Sequence, residues 1–274
     1  AIGAAVWGTH PLQTQSVTYI IQRAESMMGM LSMLVLYCFI RAAESTRPRR
    51  WLAGSVLACA LGMTAKPVMV VVPLAVVLFD WQFVTLSVRD LWQRRAFYLC
   101  LFATVGVAVA LSLLPNESSS TTGLAAGLLS PARYMLTECG VIVHYLKCIA
   151  WPTELCLDYA WPSASGFGEV WWQALLLCVL LGVAAVGVWR RSVAGFGLAL
   201  FLMLLAPSSS VIPVVDAAVE HRLYLPLAGA VVCVGALLMR FPGRTGVSSS
   251  CVLRSAVGVA VVLVLITLTH QRNA

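Results

Sequence analysis

Three short runs set ionisable side chains at the mouths of apolar segments. The first is the polar stretch His10-Pro11-Leu12-Gln13-Thr14-Gln15-Ser16-Val17 through Gln22-Arg23-Ala24-Glu25, the second is Lys66 between two apolar stretches, and the third is Glu220-His221-Arg222 with Tyr224. Charge at such a position is expensive to desolvate, so it marks a candidate site. The chemistry available to these groups is that of a phosphate site. A guanidinium holds phosphate through two parallel N–H bonds, and Lys acts as a point charge. A carboxylate beside them accepts the proton of an attacking hydroxyl while the cations stabilise charge developing on a departing phosphate.

The elements that must position these groups are membrane helices. Of 274 residues, 60% are hydrophobic and 11% charged, with a mean hydropathy of +0.89, which excludes a soluble domain. Twelve of the eighteen Lys and Arg fall in four clusters: Arg41, Arg47, Arg49 and Arg50; Arg89, Arg94 and Arg95; Arg190 and Arg191; and Arg240, Arg244 and Arg254. These mark inner loops by the positive-inside rule. Membrane topology accounts for the net charge of +7, and nucleic acid is not an expected partner.

Between Arg50 and Arg89 the apolar stretch must leave the inner side and return, because one straight helix over 51–80 would span roughly 45 Å and separate the clusters. The turn is expected at Lys66-Pro67, since proline lacks an N–H and disfavours helix for the residue before it. The expected fold class is all-α, a polytopic helical bundle of about eight crossings: 17–40, 51–65, 68–80, 96–115, 169–189, 193–206, 223–239 and 254–269. This makes 1–274 one membrane domain, with 116–168 as a long outer loop. All four His, and acids including Glu25, Glu117, Glu138, Glu154, Asp158, Asp216 and Glu220, then share the outer side.

Within that loop, Arg133, Thr137, His144 and Lys147 recur at spacings near three and four, with Met135, Leu136, Val141, Ile142, Tyr145, Leu146 and Ile149 on the remaining surface. The pattern predicts an amphipathic helix over 131–151 lying in the membrane interface. Trp151, Tyr159, Trp161, Trp171 and Trp172 supply rings for headgroup depth. Residues 1–7 read as the tail of an interrupted helix rather than a signal peptide, and the chain as a fragment.

Other chemistries find less support. There is no His/Cys spacing for zinc, no GxSxG elbow and no phosphate-cradling glycine loop, so no metal ligand is assigned. Cys148 and Cys156 are close enough in sequence for a bridge. Asp80 reads as a helix-boundary residue. For Arg222 the competing reading is an ion pair with Glu220 or snorkelling, and for Arg23 and Glu25 a local pair capping their helix. A transporter or flippase for lipid-linked or anionic substrates could gather the same charges around an outward cavity; paired broken helices would favour it, and Lys66-Pro67 is a single instance. Three cations and at least two acids at a membrane-embedded opening fit a ligand with an anionic head and an apolar tail, the shape of a polyprenyl-phosphate sugar.

The opening run, Gly62-Met63-Thr64-Ala65-Lys66, Gly140-Val141-Ile142-Val143-His144-Tyr145-Leu146 with Leu155-Cys156-Leu157-Asp158-Tyr159, and Glu220-His221-Arg222-Leu223-Tyr224-Leu225-Pro226 occur in order along the chain. Together they resemble the membrane part of bacterial tetratricopeptide-repeat membrane proteins. Those in turn resemble the animal transmembrane and tetratricopeptide-repeat-containing (TMTC) protein O-mannosyltransferases. The resemblance implies a C-type glycosyltransferase fold and inverting transfer of mannose or a related sugar from a polyprenyl phosphate to a Ser or Thr hydroxyl of an acceptor protein. It further implies a bacterial inner membrane with the site facing the periplasm, a catalytic acid before Ala1 and a repeat domain after Ala274. The family's usual Lys-Glu is replaced here by Lys66-Pro67. Arg222, Lys66 and Arg23, in that order, are the expected contacts of the lipid phosphate, with His221 and Tyr224 hydrogen-bonding phosphate or sugar. Glu25 is a carboxylate that orients Arg23 or acts in the pocket, and Glu220, His10, His144 and Asp158 are supporting residues.

Overall fold

The computed structural model describes residues 1–85, 87–112, 130–153, 155–209, 216–240 and 247–273. Glu117, Glu154 and Arg244, the run 210–213, and the far end of the segment expected over 96–115 lie outside the described residues.

Every described element is helical. The order is α1 (Ile2–Thr9), α2 (Thr14–Thr18), α3 (Arg23–Glu44), α4 (Pro48–Ala65), α5 (Val72–Phe79), α6 (Val88–Gln93), α7 (Arg95–Ala103), α8 (Val105–Ser112), α9 (Pro131–Ala150), α10 (Phe167–Trp189), α11 (Val193–Leu205), α12 (Pro226–Arg240) and α13 (Val247–Asn273). Four helical segments, Arg23–Glu44, Pro67–Val84, Phe167–Trp189 and Arg254–Asn273, are long and apolar enough to cross a membrane. Arg95–Leu111, Val193–Leu205 and Pro226–Arg240 are shorter apolar helices.

Proline and glycine set much of this geometry. Pro48, Pro131 and Pro226 each open a helix, where the missing N–H costs nothing. α4 stops at Lys66, extended at φ −158° and ψ 140°, and the chain resumes as a 3-10 turn over Pro67–Val71, so the expected turn is present. α11 and α12 pack backbone to backbone: a Cβ on Gly197 would lie 2.5 Å from the Cys233 nitrogen, and one on Gly229 2.6 Å from the Phe201 nitrogen. Small residues allow such approach where apolar burial gives helices no mutual preference over lipid.

Several expected boundaries shift. The segment expected over 17–40 becomes α3 from Arg23 to Glu44, because Tyr19 is extended and Ile20–Gln22 forms a 3-10 turn. The segment expected from 223 begins at Pro226, behind the 3-10 turn Glu220–Leu223. α7 and α8 are separated at Thr104, whose hydroxyl bonds the Leu101 carbonyl at 2.6 Å. The helix expected over 131–151 forms as α9, but protein covers its inner face. Val141, Ile142, Tyr145 and Cys148 pack with Phe201, Leu205 and Leu223. Thr137, assigned to the polar face, is buried because its hydroxyl donates to the Arg133 carbonyl and accepts from Ala164 N–H. The bridge between Cys148 and Cys156 does not form.

Candidate functional site

Side-chain contacts define two polar ends of the bundle. At one end, Glu25 stands in the first turn of α3 and points inward, 2% exposed. The extended Lys66 brings its ammonium onto the Glu25 carboxylate. Lys66 is where α4 ends, so its side chain keeps an open side, 24% exposed against 3% for Glu25.

His221 completes this cluster, with Nε2 3.9 Å from Glu25 Oε1. Its backbone N–H donates to Gln15 Oε1 at 2.7 Å, and its Nδ1 lies 3.2 Å from the same oxygen. The Gln15 amide nitrogen donates to the Leu157 carbonyl, which fixes the amide orientation. Nδ1 therefore carries the hydrogen and Nε2 is left as an acceptor facing the Glu25–Lys66 pair. Burial, together with the charges of Lys66 and Arg222, lowers the His221 pKa to about 3, so the ring is neutral at physiological pH.

Arg222 is enclosed, its side chain 6% exposed. Its guanidinium donates to the carbonyls of Ala217 (2.8 Å), Ser208 (3.3 Å) and Asp216, and to the Tyr134 hydroxyl (3.5 Å). It pairs at 3.5 Å with Glu138 on α9 rather than with Glu220. Burial pushes the Glu138 carboxyl above the ordinary carboxylate range, with Arg222 opposing.

Glu220 faces the other way. Arg272, near the end of α13, meets its Oε2 at 2.5 Å, and the Tyr159 hydroxyl donates to its Oε1 at 2.9 Å. Arg272 also donates to the Pro11 carbonyl at 2.8 Å, which ties α13, the opening run and the 220–223 turn together. The Tyr224 carbonyl accepts from Trp7 Nε1 at 2.9 Å, and the Tyr224 ring lies over Gly29, where a Cβ would come within 2.4 Å of Cε1.

The other expected residues are placed as follows. Arg23 is exposed, and among the described residues it forms no ion pair with Glu25. His10 is buried; its Nδ1 caps the Leu12 N–H at 3.2 Å and its Nε2 lies 3.2 Å from the Ile149 carbonyl. His144 packs its ring against Tyr159 and Trp161, with centroids 4.7 and 4.9 Å away. Asp158 is exposed and accepts the Ala160 N–H at 2.8 Å, a local turn.

Sequence reasoning left Glu138, Tyr134, Gln15, Tyr159 and Arg272 out of the site. Tyr134, Glu138, Ile142 and Tyr145 line one helical face, and that spacing was a signal for the first two. Gln15 and Arg272 had none, because their partners are 206 and 52 residues away.

The opposite end is organised around Asp80, which is fully buried in a π-helical turn, Asp80–Val84. Arg94 meets its carboxylate at 2.5 Å and the Tyr98 hydroxyl donates to the other oxygen.

A family model described as dolichyl-phosphate-mannose-protein mannosyltransferase matches residues 2–114. The match supports a relationship to the mannosyltransferases. It covers Glu25 and Lys66, and with the apolar helices it supports an integral membrane protein of the glycosyltransferase class. No curated protein and no solved structure matches the chain.

Proposed function

We propose that this chain is the membrane part of a glycosyltransferase that moves mannose or a related sugar from a polyprenyl phosphate to a Ser or Thr hydroxyl of a protein, and that the donor's phosphate lies at the Glu25–Lys66–His221 end. One observation carries the reading: the residues matching a mannosyltransferase model include Glu25 and Lys66, and these two meet across 41 residues of chain at the bundle end that also holds His221.

In this reading the acceptor oxygen attacks the anomeric carbon, the bond from that carbon to the phosphate oxygen breaks, the hydroxyl proton passes to a carboxylate, and the lipid phosphate leaves as an anion. Lys66 stabilises that anion, since its ammonium retains donors and an open side. Glu25 positions Lys66, because its buried carboxylate is already engaged by the ammonium. The neutral His221 offers Nε2 as an acceptor to a sugar hydroxyl. Arg222 serves less directly: its donors are committed to loop carbonyls, so it fixes the 216–222 turn that carries His221 and adds positive field. Lys66 therefore moves ahead of Arg222 as the phosphate contact.

About eight passages through the bilayer, a C-type architecture, kinship with the TMTC proteins and an outward-facing site in a bacterial inner membrane belong to the same proposal. The break at Lys66 and the basic clusters at the Asp80 end support it.

The test is transfer from a polyprenyl-phosphate mannose donor by the full-length protein in membranes. Lys66→Ala is expected to lower turnover about 100-fold, the scale for loss of one preorganised charge-stabilising donor. Unchanged turnover would overturn the assignment of Lys66. Donor crossing the bilayer without sugar transfer in the native protein would replace the transferase reading with a flippase.

A further inference from the structure

At the Asp80 end, Arg191 reaches the Thr85 carbonyl and Arg240, at the end of α12, reaches the Ser192 hydroxyl, outside the site proposed above. The backbones of α10 and α11 touch where they join: a Cβ on Gly195 would lie 2.4 Å from the Gly187 Cα. That closeness forces a tight turn in which Arg191 takes a φ of 50°, in the left-handed region that side chains other than glycine rarely adopt. In return, the Arg191 guanidinium lies 4.4 Å from the Trp81 ring centroid and donates to the Thr85 carbonyl at 2.6 Å. Arg240, at the end of α12, donates to the Ser192 hydroxyl at 2.7 Å. Arg190 is exposed on the same turn. Among the described residues, neither Arg190 nor Arg240 pairs with a carboxylate.

The patch is flanked by large apolar side chains. Trp189 is 85% exposed and Met239 75% exposed, each next in sequence to one of these arginines. Guanidiniums offering donors beside an exposed indole and a thioether match the boundary between a lipid's phosphate and its acyl chains. A free phosphate would use the first feature and leave the second without a role.

We propose that the α10–α11 turn and the end of α12 form a binding site for the headgroup of an anionic phospholipid. Arg190 and Arg240 contact its phosphate, Arg191 forms a fixed floor between Trp81 and Thr85, and the acyl chains lie along Trp189 and Met239. The site is independent of sugar transfer and does not stand or fall with it.

The test places the full-length protein in phosphatidylcholine nanodiscs containing a small fraction of either brominated phosphatidylglycerol or brominated phosphatidylcholine and measures quenching of Trp189, isolated by subtracting a Trp189→Phe sample. Brominated phosphatidylglycerol is expected to be enriched about fivefold beside Trp189, the scale for one basic residue near an anionic surface. Arg190→Ala/Arg240→Ala should bring the two lipids to equal quenching, and Arg190→Lys/Arg240→Lys should retain most of the preference, which separates loss of charge from loss of fold. Equal quenching in the native protein, or an undiminished preference in the alanine pair, overturns the site. Inorganic phosphate that abolishes the preference at matched ionic strength overturns the lipid in favour of a soluble anion.

Discussion

The Asp80 end and the Glu25 end both bury a carboxylate against a cation, but they assemble the pair differently. Asp80 takes its partners from nearby chain, Arg94 and Tyr98 at separations of 14 and 18 residues. Glu25, Glu220 and His221 depend on Lys66, Arg272 and Gln15 at separations of 41, 52 and 206. Hydrogen-bond satisfaction differs in the same direction. At the Asp80 end Gln82 is the one side chain with buried polar atoms lacking a hydrogen-bond partner among the described residues, whereas at the Glu25 end Gln13, Thr14 and Ser16 all have such atoms. Buried polar groups are ordinarily paired. A self-contained local cluster is what a structural fastening requires. A long-range cluster with spare polar atoms leaves hydrogen-bonding capacity for a ligand.

The largest expected effect tests the fastening. Arg94→Ala leaves the fully buried Asp80 without its cation, and removing one partner of a buried pair costs about 3–5 kcal/mol. Thermal unfolding in detergent should show a large drop in midpoint, and Asp80→Asn in the same chain should recover most of it. Turnover per folded molecule should be unchanged. Normal stability in Arg94→Ala, or turnover that falls with it while the protein stays folded, would erase the distinction between the ends.

At the other end stability and activity should separate. Lys66→Met leaves Glu25 unpaired and destabilises the protein; adding Glu25→Gln removes the stranded charge and should restore the unfolding midpoint. Turnover in the double variant is expected to stay about 100-fold down, because the phosphate still lacks its cation. Recovery of both would make the pair another fastening.

The helices were largely legible in the chain. Basic clusters and apolar runs located most of them, and proline after Lys66 located the break between α4 and the next segment. The helix starts were less legible near 17 and 223. There, 3-10 turns stand in front of Arg23 and Pro226, and tertiary contacts, such as Arg272 on the Pro11 carbonyl, hold them. For the site, residue types at helix mouths identified Glu25, Lys66 and His221 as candidates but could not say who pairs with whom. Adjacency in sequence favoured Arg23 with Glu25 and Arg222 with Glu220. Folding chose Lys66 and Glu138 instead, because neighbours on a turn project in different directions while partners from other helices meet in the interior. Glu138 was counted only among the acids of the outer side and given no place in the site.

The smallest expected effect concerns pH and again separates the ends. His221 is neutral when folded, with a pKa of about 3, and has the ordinary value of 6.5 when unfolded. Its contribution to stability is complete above pH 6.5 and is lost progressively as pH falls toward 3, because the unfolded chain takes up a proton that the folded chain refuses. Between pH 6.5 and 5.5 the loss is about 1 kcal/mol for one histidine, and below that it nears the limiting slope of about 1.4 kcal/mol per pH unit. Burial lowers the His10 pKa as well, so its contribution has the same sign. Unfolding midpoints should therefore decline from pH 7 to pH 5. His221→Gln, which keeps a polar side chain against Gln15, should remove part of the slope and leave the His10 share. At the Asp80 end the same comparison in Tyr98→Phe should leave the slope intact. A slope that survives His221→Gln undiminished would mean that His221 is protonated in the folded protein, making it a cation beside Lys66 rather than the neutral acceptor proposed for a sugar hydroxyl.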